Sequence, residues 1–275
     1  MLPPYLIVSL RLHLIARGVG LETTYSQAFR WTLIGSFFDL VMPSSNGGDL
    51  VKVAYMAEHV GAGRRTTAMF AALVDRVLGL LGLFFLALIT CVVGWSHLSQ
   101  LTSRMMVLVI LVFICAGSMT ALYYLAHPVT HNMQLMRRMQ SWPRIGPRLK
   151  QLTTSLQLLW GSPKLIASAL TLSVINHIFW CTSLLCITHA TGAHISWFDG
   201  FVVFPLAIFS NVFGVAGGFG LGTVGFDALL AMLLQVRDGA LIGLTFQILS
   251  GLSRTVGLPI YILHRQAKTT SSFGE

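Results

Sequence analysis

The sequence predicts an all-α integral membrane protein: a polytopic helical bundle with two re-entrant helical hairpins of inverted topology. Three observations carry this expectation. Charged residues make up only 10% of a chain that is 55% hydrophobic, where a soluble domain holds about 25% charge, and the mean hydropathy is +0.74. Four apolar runs, 66–95, 105–126, 165–190 and 240–263, are each long enough for a hydrocarbon core of about 30 Å. Two further apolar runs stop at glycine clusters and restart. The first, 28–42, ends at Pro43, turns through Ser44, Ser45, Asn46, Gly47 and Gly48, and resumes at Asp49; the second, 201–215, breaks at Gly217, Gly218, Phe219 and Gly220.

The elements follow in order. Residues 2–16 predict a short helix; Arg11 and His13 within it, and the lack of a small-residue cleavage site, argue against a signal peptide. The expectation is that Met1 is not the natural start or that a preceding helix is absent. A first hairpin covers 25–59, and the spans 66–95 and 105–126 come next. Segment 127–164 holds Arg137, Arg138, Arg144, Arg148, Lys150 and Lys164, which places it in the cytoplasm by the positive-inside rule. Leu149, Leu152, Leu156 and Leu159 recur at helical spacing, so the segment is either partly an amphipathic surface helix or a solvated basic loop. With it inside, 96–104 and 191–199 fall outside, and Arg64, Arg65, Arg265 and Lys268 fall inside. The first hairpin then enters from the cytoplasm, and the second, 197–235, from the outside. An offset of about 172 positions lays one on the other, matching Phe29 with Phe201, Phe37 with Phe209 and Asp39 with Asn211, as an internal repeat does. Interrupted segments in corresponding halves point to a translocation site near the midplane, because irregular backbone at membrane depth survives only around a cavity.

Composition also excludes. A net charge of +9 in a soluble protein suggests nucleic acid; here positive-inside loops and anionic lipid account for it. Cys91, Cys115, Cys181 and Cys186 lie in apolar stretches without CxxC or Cys/His spacing and read as packing residues. His127 and His131 stand one helical turn apart but lack a nearby carboxylate or cysteine partner, so no metal site is expected. There is no P-loop, HExxH or GxSxG, and the largest extramembrane segment is below the roughly 40-residue floor for an independent domain. The expectation is therefore a non-enzyme without cofactor, driven by a gradient or by a separate protein.

Gly47 and Gly48 allow close backbone approach, and a helix restarting at Asp49 presents N–H groups and a positive dipole end, which suits a phosphate. The plainer reading makes Asp49 an N-cap and the glycines a turn. Lys52, one turn on, either reaches a head group or snorkels to the interface. Asp75 and Arg76 form a charge pair in an apolar helix, at a cost of about 2.5–3.5 kcal/mol per unpaired charge if both lie deep; if 77–95 spans alone, Arg76 sits at the surface. Arg254 falls well inside the last span and needs an acidic partner (Asp75, Asp49 or Asp227) or an anionic ligand. Gly217, Gly218 and Asp227 belong to the second hairpin, with Asp227 a candidate outer counterpart. Arg30 reads as interfacial, and Asn176 and His177 as interhelical hydrogen-bonding residues.

The string Phe29, Arg30, Gly35, Ser36, Phe37 and Phe38, then Pro43 through Asp49 and Lys52, then Asp75, Arg76, Val77, Leu78 and Gly79, resembles the lysylphosphatidylglycerol synthase transmembrane-domain family. The Pro-x-x-x-Gly-Gly-Asp and later Asp-Arg pattern is its specific part, and the similarity runs from about Leu10 to the last helix. The resemblance implies a bundle with re-entrant helices that moves an anionic or aminoacyl-modified phospholipid between leaflets of a bacterial-type inner membrane, with Pro43, Gly47, Gly48, Asp49, Asp75 and Arg76 shaping the cytoplasmic half of a cavity. Lys52 stands where the family usually has Arg, and the second glycine break lacks the usual closely following Glu. No aminoacyl-transferase domain accompanies the chain, so synthase activity is not inferred. Alternatives are a membrane component of a lipid-linked sugar or amino-acid transferase, and a small-solute secondary transporter. Expected partners are a lipid substrate, the membrane, and either further copies of the chain or a separate transferase.

Overall fold

The computed structural model describes residues 2–42, 47–97, 106–107, 110–121, 146–214 and 218–272. Among these, ten long helices carry the fold: α1 (Pro3–Gly18), α2 (Tyr25–Val41), α3 (Gly47–His59), α4 (Arg65–Val93), α5 (Gly146–Trp160), α6 (Pro163–Ala190), α7 (Trp197–Ser210), α8 (Leu221–Leu234), α9 (Gly239–Arg254) and α10 (Gly257–Ser272). A further apolar helical segment covers Ile110–Ala121. The chain is thus an all-α membrane protein. Three stretches, Arg65–Val93, Pro163–Ala190 and Gly239–Gln266, are long and apolar enough to cross a bilayer.

Local chemistry explains the helix starts. Thr24 and Gln27 form a capping box at α2: the Gln27 N–H donates to Thr24 Oγ1 (3.3 Å) and the Thr24 N–H to Gln27 Oε1 (2.8 Å). Ser196 Oγ accepts the Phe198 N–H (3.2 Å) at α7. Prolines occupy the first turns of α1 and α6, where no N–H is needed. Of the basic segment, 146–160 is helical, with Leu156 and Leu159 buried against α4, so it packs on the bundle as well as facing outward. Arg137, Arg138, Arg144, His127 and His131 lie outside the described residues, as do Pro43 to Asn46.

The last span departs from expectation. It is not one helix: α9 ends at Arg254, the Leu258 N–H donates to the Thr255 carbonyl (3.0 Å), and α10 begins at Gly257. Pro259 supplies no N–H to the ladder. Gly257 lies so close to α2 that a Cβ there would sit 2.1 Å from the Leu33 carbonyl oxygen. Arg254 is therefore the final residue of a helix at a break, where a cation meets the negative end of the dipole.

The internal repeat extends over four elements. The offset that takes Phe29 to Phe201 also takes Tyr25 and Val41, the ends of α2, to Trp197 and Phe213, the ends of α7 with its terminal 3-10 turn. It carries the end of α1, Gly18, onto the end of α6, Ala190. The bounds of α4 map within two residues of Gly239–Gln266, the α9–α10 pair. Packing follows the same plan: α2 lies on α3 as α7 lies on α8, α3 meets α4 as α8 meets α9, and α4 covers α7 as α9 and α10 cover α2. One seam breaks the symmetry. Helices α4 and α6 pack extensively, with Gly82 against the backbone of Ser173, whereas the corresponding approach of α1 to α9–α10 is slight and includes a Tyr5 Oη···Ser253 Oγ hydrogen bond of 2.9 Å.

Candidate functional site

Between the two halves lies a cavity of about 280 Å³, lined from α1 by Tyr5, Val8 and Arg11, from the first hairpin by Thr32, Asp39, Gly48, Asp49 and Lys52, from α4 by Asp75 and Arg76, and from α6 by Asn176, His177 and Trp180. Phe209 and Arg254 close it from the second half. A second compartment of about 220 Å³ shares Asp39, Arg76, His177 and Arg254 and reaches Asn211 and Phe246. The charged lining comprises Arg11, Lys52, Arg76 and Arg254 against Asp39, Asp49 and Asp75, one positive charge in excess.

Gly48 builds the first hairpin. A Cβ on it would fall 1.9 Å from the Gly35 carbonyl oxygen, so α2 and α3 touch backbone to backbone. The Gly48 N–H donates to Asp39 Oδ1 (2.8 Å), which takes one of the N–H groups expected to face a phosphate. Asp49 is not an N-cap: its carboxylate pairs with Lys52 (3.3 Å) and Arg76 (2.5 Å). Lys52 does not snorkel; it is buried and also reaches Asp75 (3.6 Å). Asp75, 3% exposed, accepts from Arg11 Nε at 2.7 Å, and Arg11 Nη1 donates to Ser173 Oγ (2.8 Å). The result is one ladder, Arg11–Asp75–Lys52–Asp49–Arg76, joining α1, α3 and α4. Packing has thus carried a charge out of contact with water only where an opposite charge meets it.

Of the residues expected at the site, Gly48, Asp49, Lys52, Asp75, Arg76 and Arg254 line the cavity. Gly47 packs beside Met42 at the same turn. Gly217 lies outside the described residues. Gly218 has φ +112° and is fixed by the Gln247 Nε2 donation to its carbonyl (3.0 Å). Asp227 is elsewhere: it accepts the Ala240 N–H (3.0 Å), capping α9, and does not line the cavity. It offsets the orphan N–H groups at that helix start, which is why an acidic residue stands there. None of the three partners expected for Arg254 is paired with it: Asp49 and Asp75 belong to the ladder and Asp227 to the cap. Among the described residues Arg254 forms no salt bridge, and neither does Asp39, a carboxylate within its field.

The sequence reading missed Arg11 and Asp39 as site residues. Both carried a signal: Arg11 is a charge within an apolar run, and Asp39 is one of the positions matched by the repeat. Asn176 and His177, expected to bond between helices, do so only in part. His177 Nε2 donates to the Gly79 carbonyl (3.0 Å), while among the described residues His177 Nδ1 and Asn176 Oδ1 are buried without a hydrogen-bond partner.

A family model described as "Lysylphosphatidylglycerol synthase TM region" matches residues 1–256. No curated protein and no solved structure matches the chain.

Proposed function

The chain belongs to the lysylphosphatidylglycerol synthase transmembrane family, and from that premise we propose that it moves an anionic phospholipid between the leaflets of a bacterial-type inner membrane. The observation that carries this reading is the cavity between the repeats: lined by charged side chains with a net positive balance, with large apolar side chains such as Met69, Leu73 and Phe85 of α4 exposed on the outside of the bundle. A head-group phosphate supplies the charge that Arg254 lacks, and Arg presents a planar fork suited to phosphate oxygens. The arms of the hairpins, 17 and 13 residues in the first and 14 each in the second, are about 20–25 Å long at 1.5 Å per residue, short of a full crossing. We take both to be re-entrant from opposite faces, with acyl chains staying in the bilayer. The slight seam between α1 and α9–α10, beside Arg254, is the side from which a lipid enters.

The test is leaflet exchange of a fluorescent anionic phospholipid in liposomes holding the purified protein, without ATP. Exchange accelerates with the wild-type chain, and Arg254→Gln lowers it more than tenfold while the melting temperature holds, because no salt bridge is lost with the guanidinium. Acceleration by neither anionic, zwitterionic nor aminoacylated lipid, with folded protein, sinks the reading in favour of a membrane component of a transferase.

A further inference from the structure

The three carboxylates lining the cavity are not held alike. Asp49 meets Lys52 and Arg76, and Asp75 meets Arg11 and Lys52, so each carries its charge against two cations. Among the described residues Asp39 has no cation within salt-bridge reach, and it accepts a single hydrogen bond, from the Gly48 N–H (2.8 Å). A carboxylate at membrane depth without a paired cation is costly, and a residue of that kind ordinarily carries function.

The turn itself does not need the charge. At the equivalent place in the second half stands Asn211, whose neutral amide oxygen accepts from Gln247 Nε2 (2.9 Å) beside Gly218. An amide oxygen and a carboxylate oxygen both accept an N–H, so this architecture closes a hairpin with either. What Asp39 has and Asn211 lacks is a place for a proton. Its position suits that use: among the described residues Asp39 is the one carboxylate lining both compartments, whereas Asp49 and Asp75 line only the first. Arg254 lines both as well.

The groups facing Asp39 set the condition under which it takes the proton. They are Tyr5 and Arg11 of α1, Asp49 and Lys52 of α3, Asp75 and Arg76 of α4, His177 of α6 and Arg254 of α9; α7 presents the amide of Asn211, and α10 packs Tyr261 on the neighbouring Phe38. Asp49 puts a like charge in its field, and Arg254 an opposite one. An anion held by Arg254 takes that offset away, and two negative charges sharing one enclosed space repel until a proton neutralises one of them.

We infer that Asp39 is the proton carrier of the transport cycle: a head-group anion binds Arg254 as one proton joins the Asp39 carboxylate, and both leave on the other side. This rests on the lipid reading above and supplies its driving force. No bond of the lipid breaks, and the proton comes from water and returns to it.

The full chain in detergent is titrated with dihexanoyl phosphatidylmethanol, a phosphodiester that keeps its one negative charge through the neutral and mildly acidic range. Affinity rises about tenfold for each pH unit lowered, as one linked proton requires, and levels off once Asp39 is protonated before the ligand arrives. Asp39→Asn, which keeps an acceptor for the Gly48 N–H, binds at the levelled-off affinity at every pH. In liposomes an imposed pH gradient drives net transfer of fluorescent phosphatidylmethanol by the wild-type chain and not by Asp39→Asn. Should that variant not fold, Asp39→Glu keeps the slope and moves the pH at which it levels off. Binding without pH dependence in the wild type, a slope that survives Asp39→Asn, or a levelling point unmoved in Asp39→Glu overturns the proton assignment and leaves the lipid reading standing. Folded protein that binds the phosphodiester at no pH ends the lipid reading and this inference with it.

Discussion

Where the first half of the molecule carries Asp75, the second carries Gln247 at the equivalent position, and where the first carries Asp39, the second carries Asn211. Each pair does related work with different chemistry. Asp39 accepts the N–H of Gly48 at the first turn; Gln247 Nε2 donates to Asn211 Oδ1 (2.9 Å) and to the Gly218 carbonyl, while Thr223 Oγ1 donates to Gln247 Oε1 (2.8 Å). The first hairpin is tied by a charged ladder, the second by a neutral amide network. Buried ion pairs are poor stabilisers compared with apolar packing, and the second half shows that the same architecture holds without them. What the charges add is a concentrated field on one side of the cavity, so an anionic group crossing it meets unequal halves. Every carboxylate lining the cavity, and every lining cation but Arg254, comes from the first half.

The comparison is broken most severely by removing one charge. Asp75→Ala strands Arg11 and Lys52 in a buried site and costs about 3–5 kcal/mol, seen as a large drop in melting temperature or loss of folded protein. A full-stability variant would show that the ladder is not buried in the membrane-inserted protein. Next comes backbone contact. Gly48→Ala sets a methyl against the Gly35 carbonyl and costs about 1–3 kcal/mol. Gly220→Ala, at the equivalent position with open space around it and φ +80°, costs about 1 kcal/mol from strain alone. Equal losses would mean that the two turns are not differently packed. Gln247→Ala, the neutral counterpart of Asp75→Ala, loses net hydrogen bonds of about 1–2 kcal/mol in all, a smaller fall by the same thermal measurement. The gentlest probe leaves stability aside: in a cysteine-free background, a thiol at Ser45 labels from the cytoplasmic face and one at Phe219 from the opposite face. Labelling of both from one side removes the inverted arrangement.

By itself the sequence determined the class and the plan: charge poverty and run length require helices in lipid, and glycines that interrupt apolar runs at one recurring offset place two hairpins in two halves. Those are local or periodic properties, and periodicity survives without coordinates. It also singled out Asp49, Lys52, Asp75 and Arg76, because a charge in an apolar run is conspicuous wherever it ends up. What it left undecided was pairing. Arg11 lies 64 positions from Asp75, and nothing along the chain says that α1 lies against α4; only the packing of helices decides which cation reaches which carboxylate. Asp227 is the opposite case, an acidic residue conspicuous in sequence that tertiary structure assigned to capping α9. The break after Arg254 went unread, because 240–263 reads as one apolar run; Gly257 and Pro259 mark it, and its consequence depended on α2 approaching closely enough to exclude a side chain at Gly257. Asn176 and His177 were set by burial alone, since whether a polar atom is satisfied depends on neighbours that only the folded chain brings together.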